Sequence, residues 1–143
     1  MRLEDSKHFN AEEFIKNLKK WRRDKEKYLS LLDEIPELPS ISNDSGVRSS
    51  EISDPTARQA IKRMEIESEI EDIERCEEAY EYAMNKLEES ERELMRAFFE
   101  PKKPIWREVE EYTQKHYISP MTMYNQRLKV LKKFAQIIEK KYL

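Results

Sequence analysis

The sequence predicts an all-α protein in which two long N-terminal helices are followed by a C-terminal three-helix, helix-turn-helix domain. Three observations carry this expectation. One Gly in 143 residues leaves little provision for the positive-φ turns of β-hairpins, whereas long helices need almost none. Charged residues (40%) outnumber the apolar set (38%), which predicts a thin core and helices with a single buried face. Apolar residues also recur at alternating steps of four and three along most of the chain, the period of a helix stripe.

The N-terminal helix region spans residues 1–35 and opens at Asn10 or Ala11. Its stripe is Phe14, Leu18, Trp21, Tyr28, Leu32 and Ile35, with Lys25 in the one polar place. Pro36 and Pro39 end it, because neither nitrogen can donate and each disfavours helical geometry in the residue before it. Residues 36–54 (PELPSISNDSGVRSSEISD) show neither helical nor strand periodicity and predict a flexible linker. Asp54 and Pro55 restart the chain as cap and first helical residue.

The acidic helix over 55–88 carries Ile66, Ile70, Ile73, Tyr80, Met84 and Leu87 on its stripe, interrupted by Glu77. Two stripes of matching period predict either an antiparallel hairpin within the chain or a coiled-coil homodimer.

Residues 90–143 divide into three shorter helices. Ser90 and Glu93 have the spacing of a capping box, which predicts a helix from Ser90 to about Phe99. A rigid turn through Pro101 and Pro104 leads to a second helix from Ile105 to about Tyr117, with Ile105, Trp106, Val109 and Tyr112 on one face. Ser119 and Pro120 open the last helix, whose expected apolar side is Met123, Tyr124, Leu128, Leu131, Phe134, Ala135, Ile138 and Tyr142.

Charge is distributed unevenly around a net value of −3. Acids dominate from Lys62 to Leu94, whereas from Pro120 onward Arg127, Lys129, Lys132, Lys133, Lys140 and Lys141 face only Glu139. An acidic spacer joined to a basic end is the pattern of a protein that meets a polyanion through its terminus.

In a trihelical reader of double-stranded DNA the first two helices brace the third, whose early turns enter the major groove. Candidates on that third helix are Ser119, Met121, Thr122, Asn125, Gln126 and Lys129 at base edges. Asn and Gln can bond adenine bidentately, and a methyl or thioether can touch the thymine methyl. Arg127, Lys132 and Lys133 are the expected phosphate contacts, which fix register and supply affinity without reading sequence.

The stretches LEESERELMRAFF, PIWREVEEY and YISPMTMYNQRLKVLKKFA resemble the sigma-factor region-four type of helix-turn-helix. Along most of its length the chain also resembles the ArpU/RinA-type phage transcriptional regulators. That layout has an N-terminal helix, a Ser- and Gly-containing linker, an Asp54-Pro55-Thr56 opening, a long acidic helix and a terminal reader. Leu87, Glu91, Arg92 and Leu94 match the entry to the domain. Trp106 and Val109 match the bracing helix, and Ser119, Thr122, Tyr124 and Arg127 match the opening of the recognition helix. The resemblance implies regulation of phage or prophage genes in a bacterial host; for such a regulator the helical N-terminal part is expected either to oligomerise or to meet RNA polymerase. Between Trp106 and Ser119 the chain departs from the pattern. It holds about three more residues, with Gln114-Lys115-His116-Tyr117 where the pattern has a tight Gly-containing turn.

Other function classes find little support. His8 and His116 have no ligand partners at metal spacing, no Gly-rich phosphate loop or Ser/His/Asp trio is present, and the many glutamates read as a solvated helix face. No enzyme and no cofactor are expected. Cys76 has no partner for an intrachain disulfide and reads as a small, half-buried helix residue. No apolar run of about 18 residues predicts a membrane span, and Met1 to Leu18 lacks the apolar block of a signal peptide, so the expected place is the cytoplasm. Two readings from other classes stand beside the regulator: a small-terminase-like DNA packaging component, and a helical adaptor that binds protein.

Overall fold

The computed structural model describes residues 9–35 and 55–143. Among these residues the chain forms five helices and no strand: α1 (Ala11–Glu34), α2 (Pro55–Lys86), α3 (Glu89–Phe99), α4 (Ile105–His116) and α5 (Pro120–Tyr142). The all-α class is as the composition predicts. The linker expected over 36–54, with its capping Asp54, and His8 lie outside the described residues.

Two compact units divide the described chain. One holds the residues up to Lys19 together with Cys76–Leu143, and the other those between Lys20 and Arg75. In the second unit α1 and α2 run antiparallel. Lys25 Nζ meets Glu74 at 3.3 Å, while Tyr28, one turn further along α1, shares a groove of about 670 Å³ with Ile61, Met64 and Ile66 from earlier turns of α2. The two long helices therefore pair within the chain, one of the two arrangements that their matching stripes allow.

The first unit contains the start of α1, the end of α2 and all of α3, α4 and α5. Asn10 caps α1, its side-chain oxygen accepting the Glu13 N–H at 3.0 Å. The first turns of α1 then bury Ala11, Phe14, Ile15 and Leu18. From α2 come Ala79, Tyr80, Ala83 and Met84, all buried, and Cys76 is buried with them rather than half-exposed as expected. Small residues between the large ones widen the apolar face of α2 beyond the stripe that periodicity alone picks out.

α3 begins one residue earlier than its expected start. Glu91 Oε1 accepts the Glu88 N–H at 2.8 Å, so the capping role falls to Glu88 and Glu91 instead of Ser90 and Glu93. Either pair has the right spacing. The Glu88 pair wins because Glu91 also meets Lys133 of α5 at 2.8 Å, which ties the helix start to the rest of the unit. On α3, Leu94, Met95, Ala97 and Phe99 are buried.

The α4 to α5 connection is three residues, Tyr117 to Ser119. Tyr117 takes the left-handed conformation (φ 54°, ψ 45°) without being Gly, and the Ile118 N–H reaches back to the Thr113 carbonyl at 3.1 Å, which closes the helix end. The extra residues of Gln114-Lys115-His116 are thus absorbed as helix, and the turn stays tight. Ser119 caps α5 by accepting the Thr122 N–H at 3.1 Å, with Pro120 at the first helical position.

Candidate nucleic-acid interface

α5 has two unlike faces. Successive residues turn by about 100°, and Met123, Val130, Leu131, Phe134 and Ile138 lie buried on one side. Phe134 is fully buried with its ring 5.8 Å from that of Tyr80. The opposite side carries Met121, Asn125, Leu128 and Lys132, flanked by Thr122 and Lys129, and all six are exposed. Lys129 and Lys132 form no ion pair with another described residue, and the helix holds no acid before Glu139.

Of the nine residues expected at a DNA surface, five stand on this outer face: Met121, Thr122, Asn125, Lys129 and Lys132. Ser119 is exposed at the helix start, with its hydroxyl engaged as the cap and 3.0 Å from that of Thr122. Gln126 is half-buried, and with Lys129 it lines the edge of a cleft of about 380 Å³ shared with Tyr112, His116 and Ile118.

The two remaining residues, Arg127 and Lys133, are each engaged by a carboxylate of another helix. Arg127 donates to Glu12 of α1 at 2.5 Å, and its guanidinium lies 4.9 Å from the Phe98 ring centre and 5.5 Å from that of Phe99. Lys133 is held by Glu91. Both cations pair with a carboxylate of another helix, Arg127 with its side chain largely covered and Lys133 with its side chain still partly exposed, so each braces α5 against its neighbours.

Titration follows from these pairs. Hydrogen bonding from Lys16, with the charge of Arg127, holds the Glu12 carboxyl below the usual carboxylate range. For Glu91 burial pushes upward, but the Lys133 hydrogen bond and the Glu88 N–H outweigh it and the carboxyl again sits low. The hydrogen bond to Glu91 lifts the Lys133 ammonium in turn. A carboxyl lowered by folding stabilises the fold above its unfolded pKa, about 4.3, and that contribution is lost as pH falls toward the folded value. The melting temperature should therefore drop from about pH 5 to about pH 3, and the drop should shrink in a Glu12→Gln/Glu91→Gln variant. An acid limb of equal depth in both proteins would assign acid sensitivity to other carboxyls.

α4 departs from its expected bracing role at its first turn. Val109, Tyr112, Thr113 and His116 face the unit, with Thr113 Oγ1 satisfied by the Val109 carbonyl at 2.8 Å. Trp106 is 64% exposed, and Ile105 is exposed beside it. These two lie on roughly the inward arc, but no described helix covers that first turn. Tyr124, expected in the core, is exposed at its edge against Phe98, with ring centres 5.3 Å apart.

Leu128 is the functional candidate that sequence reasoning missed. It was grouped with the apolar side of the last helix, but it stands three residues from Asn125 and seven from Met121, and is 64% exposed. A helical wheel would have found it, since Leu128 lies roughly 140° from Met123.

Comparison with protein-family models, with curated proteins and with solved structures finds no match for this chain. Among the described residues no helix is long and apolar enough to cross a membrane, and no cluster of three or more His, Cys, Asp or Glu is suited to a metal ion.

Proposed function

We propose that this chain is a sequence-specific DNA-binding transcriptional regulator, with α4, the Tyr117–Ser119 turn and α5 acting as a helix-turn-helix. One observation carries the reading. The first turns of α5 present Met121, Thr122 and Asn125 on an exposed face that continues into Lys129 and Lys132, while the opposite face is buried. A helix with base-reading groups at its N-terminal turns and exposed cations further along has the layout of a major-groove reader. The resemblance to ArpU/RinA-type regulators makes the regulated genes those of a phage or prophage in the bacterial cytoplasm.

The test is enrichment of bound fragments from a bacterial genome carrying the gene, followed by gel shifts on the enriched and on random duplexes. Asn125→Ala is expected to cost about 1–3 kcal/mol on the enriched site and little on random DNA. Equal losses on both would remove base reading from Asn125. Failure to retain any duplex at low salt would remove the DNA reading.

Trp106 and Ile105 favour a second, protein-binding reading at the far end of α4. Their exposed first turn is an apolar spot of the kind that marks a protein contact. RNA polymerase, expected from the sequence to meet the helical N-terminal part, is one partner for such a spot in a regulator, and any other protein would make the chain an adaptor.

A further inference from the structure

Three features of α5 have no part in generic DNA affinity. Met121 is 70% exposed and Leu128 64%, and both stand on the outer face of α5, one turn to either side of Asn125. Asn125 stands between them, and with Tyr124 these residues occupy positions i, i+3, i+4 and i+7 of one face. That is the stripe a helix lying lengthwise in a major groove turns toward the bases. The remaining feature is Arg127. It is the sole arginine of α5 and the side chain type that most often reads guanine, but it is committed to Glu12 and to the rings of Phe98 and Phe99.

We infer that the face of α5 selects A·T-rich sequence by thymine-methyl contact, with Leu128 and Met121 as the specificity-determining side chains on either side of an adenine-reading Asn125. This inference rests on the DNA reading above and deepens it. In the major groove thymine alone carries a C5 methyl, and adenine offers the acceptor and donor pair that an amide matches. An apolar, amide, apolar stripe fits a thymine, adenine, thymine pattern of methyls and edges. The first two turns of α5 hold no cation but the engaged Arg127, so guanine reading would fall to Lys129 alone, at the far edge of the stripe beside Leu128. The lysines flanking the stripe, with no acid on α5 before Glu139, attract a polyanion such as duplex DNA, and retention by an acidic protein with no duplex binding is the competing outcome of the test.

The experiment uses the full chain. Duplexes selected from a random pool are expected to hold an A·T-rich core. Replacing core thymines by uracil one at a time removes only the methyl, and is expected to weaken binding about fourfold at the contacted positions, the worth of one buried methyl group. Leu128→Ala and Met121→Ala, both exposed and so expected to fold, should each erase the thymine-to-uracil difference at one position and leave it at the other. Tight, salt-sensitive binding to a G·C-rich core, or indifference to uracil, would overturn the inference and leave the DNA reading standing. Absence of duplex binding at low salt would overturn both.

Discussion

Replacing Phe134 by Ala is expected to lower the unfolding free energy by about 3–5 kcal/mol, the cost of a large aromatic removed from a packed core. Phe134 is fully buried and meets Tyr80 ring to ring, so it joins α5 to the end of α2. A chain with so little apolar material has few neighbours that can close the void, and a loss of this size approaches the whole stability of a small domain, about 5–15 kcal/mol. Urea unfolding followed by circular dichroism measures it. Leu128→Ala on the same helix is the control, expected to change stability by no more than about 0.5 kcal/mol because the side chain faces water. Comparable losses from the two would mean that α5 has no free face, and the proposed groove-reading surface would disappear.

How far the fold was legible in the sequence follows from which signals are local. Helix period, the Pro punctuation and the Asn10 and Ser119 caps depend on neighbouring residues only. Each of α1, α2, α4 and α5 accordingly ends within about two residues of its expected bound. The stripe of α2 was also readable, since large apolar residues dominate it, but its alanines and Cys76 were not, because small side chains carry little periodic signal. The start of α3 went astray where two capping pairs overlapped and a residue 42 positions away, Lys133, decided between them.

The candidate site was legible to a similar depth. That α5 begins at Ser119 and exposes Met121, Thr122 and Asn125 follows from a cap and a wheel. The fate of Arg127 does not, because its partner Glu12 is 115 residues distant and nothing in either neighbourhood announces the pairing. Trp106 failed for the complementary reason. Its place on the helix face was roughly right, but whether a face is covered depends on how far the neighbouring helices extend, and periodicity holds no information on that.

Salt dependence separates the cations of α5 into those that meet phosphate and those that hold the protein together. Each phosphate neutralised by a free cation releases condensed counterions and adds about 0.9 to the slope of log affinity against log salt. Lys129 and Lys132 are exposed and form no ion pair with a described residue, so a Lys129→Ala/Lys132→Ala variant is expected to show a slope shallower by about 1.8, with weaker binding to every duplex alike and an unchanged melting temperature. Lys133→Ala should do the reverse. Its ammonium is engaged by Glu91 at 2.8 Å, so no phosphate-bound counterion depends on it, and its loss should lower thermal stability by freeing a carboxylate that also caps α3. Gel shifts across a salt series, read beside thermal melts of the same proteins, distinguish the two patterns. A slope change from Lys133→Ala as large as that from Lys132→Ala would mean that the Glu91 pair opens on binding and that α5 meets DNA over a wider arc than its exposed face.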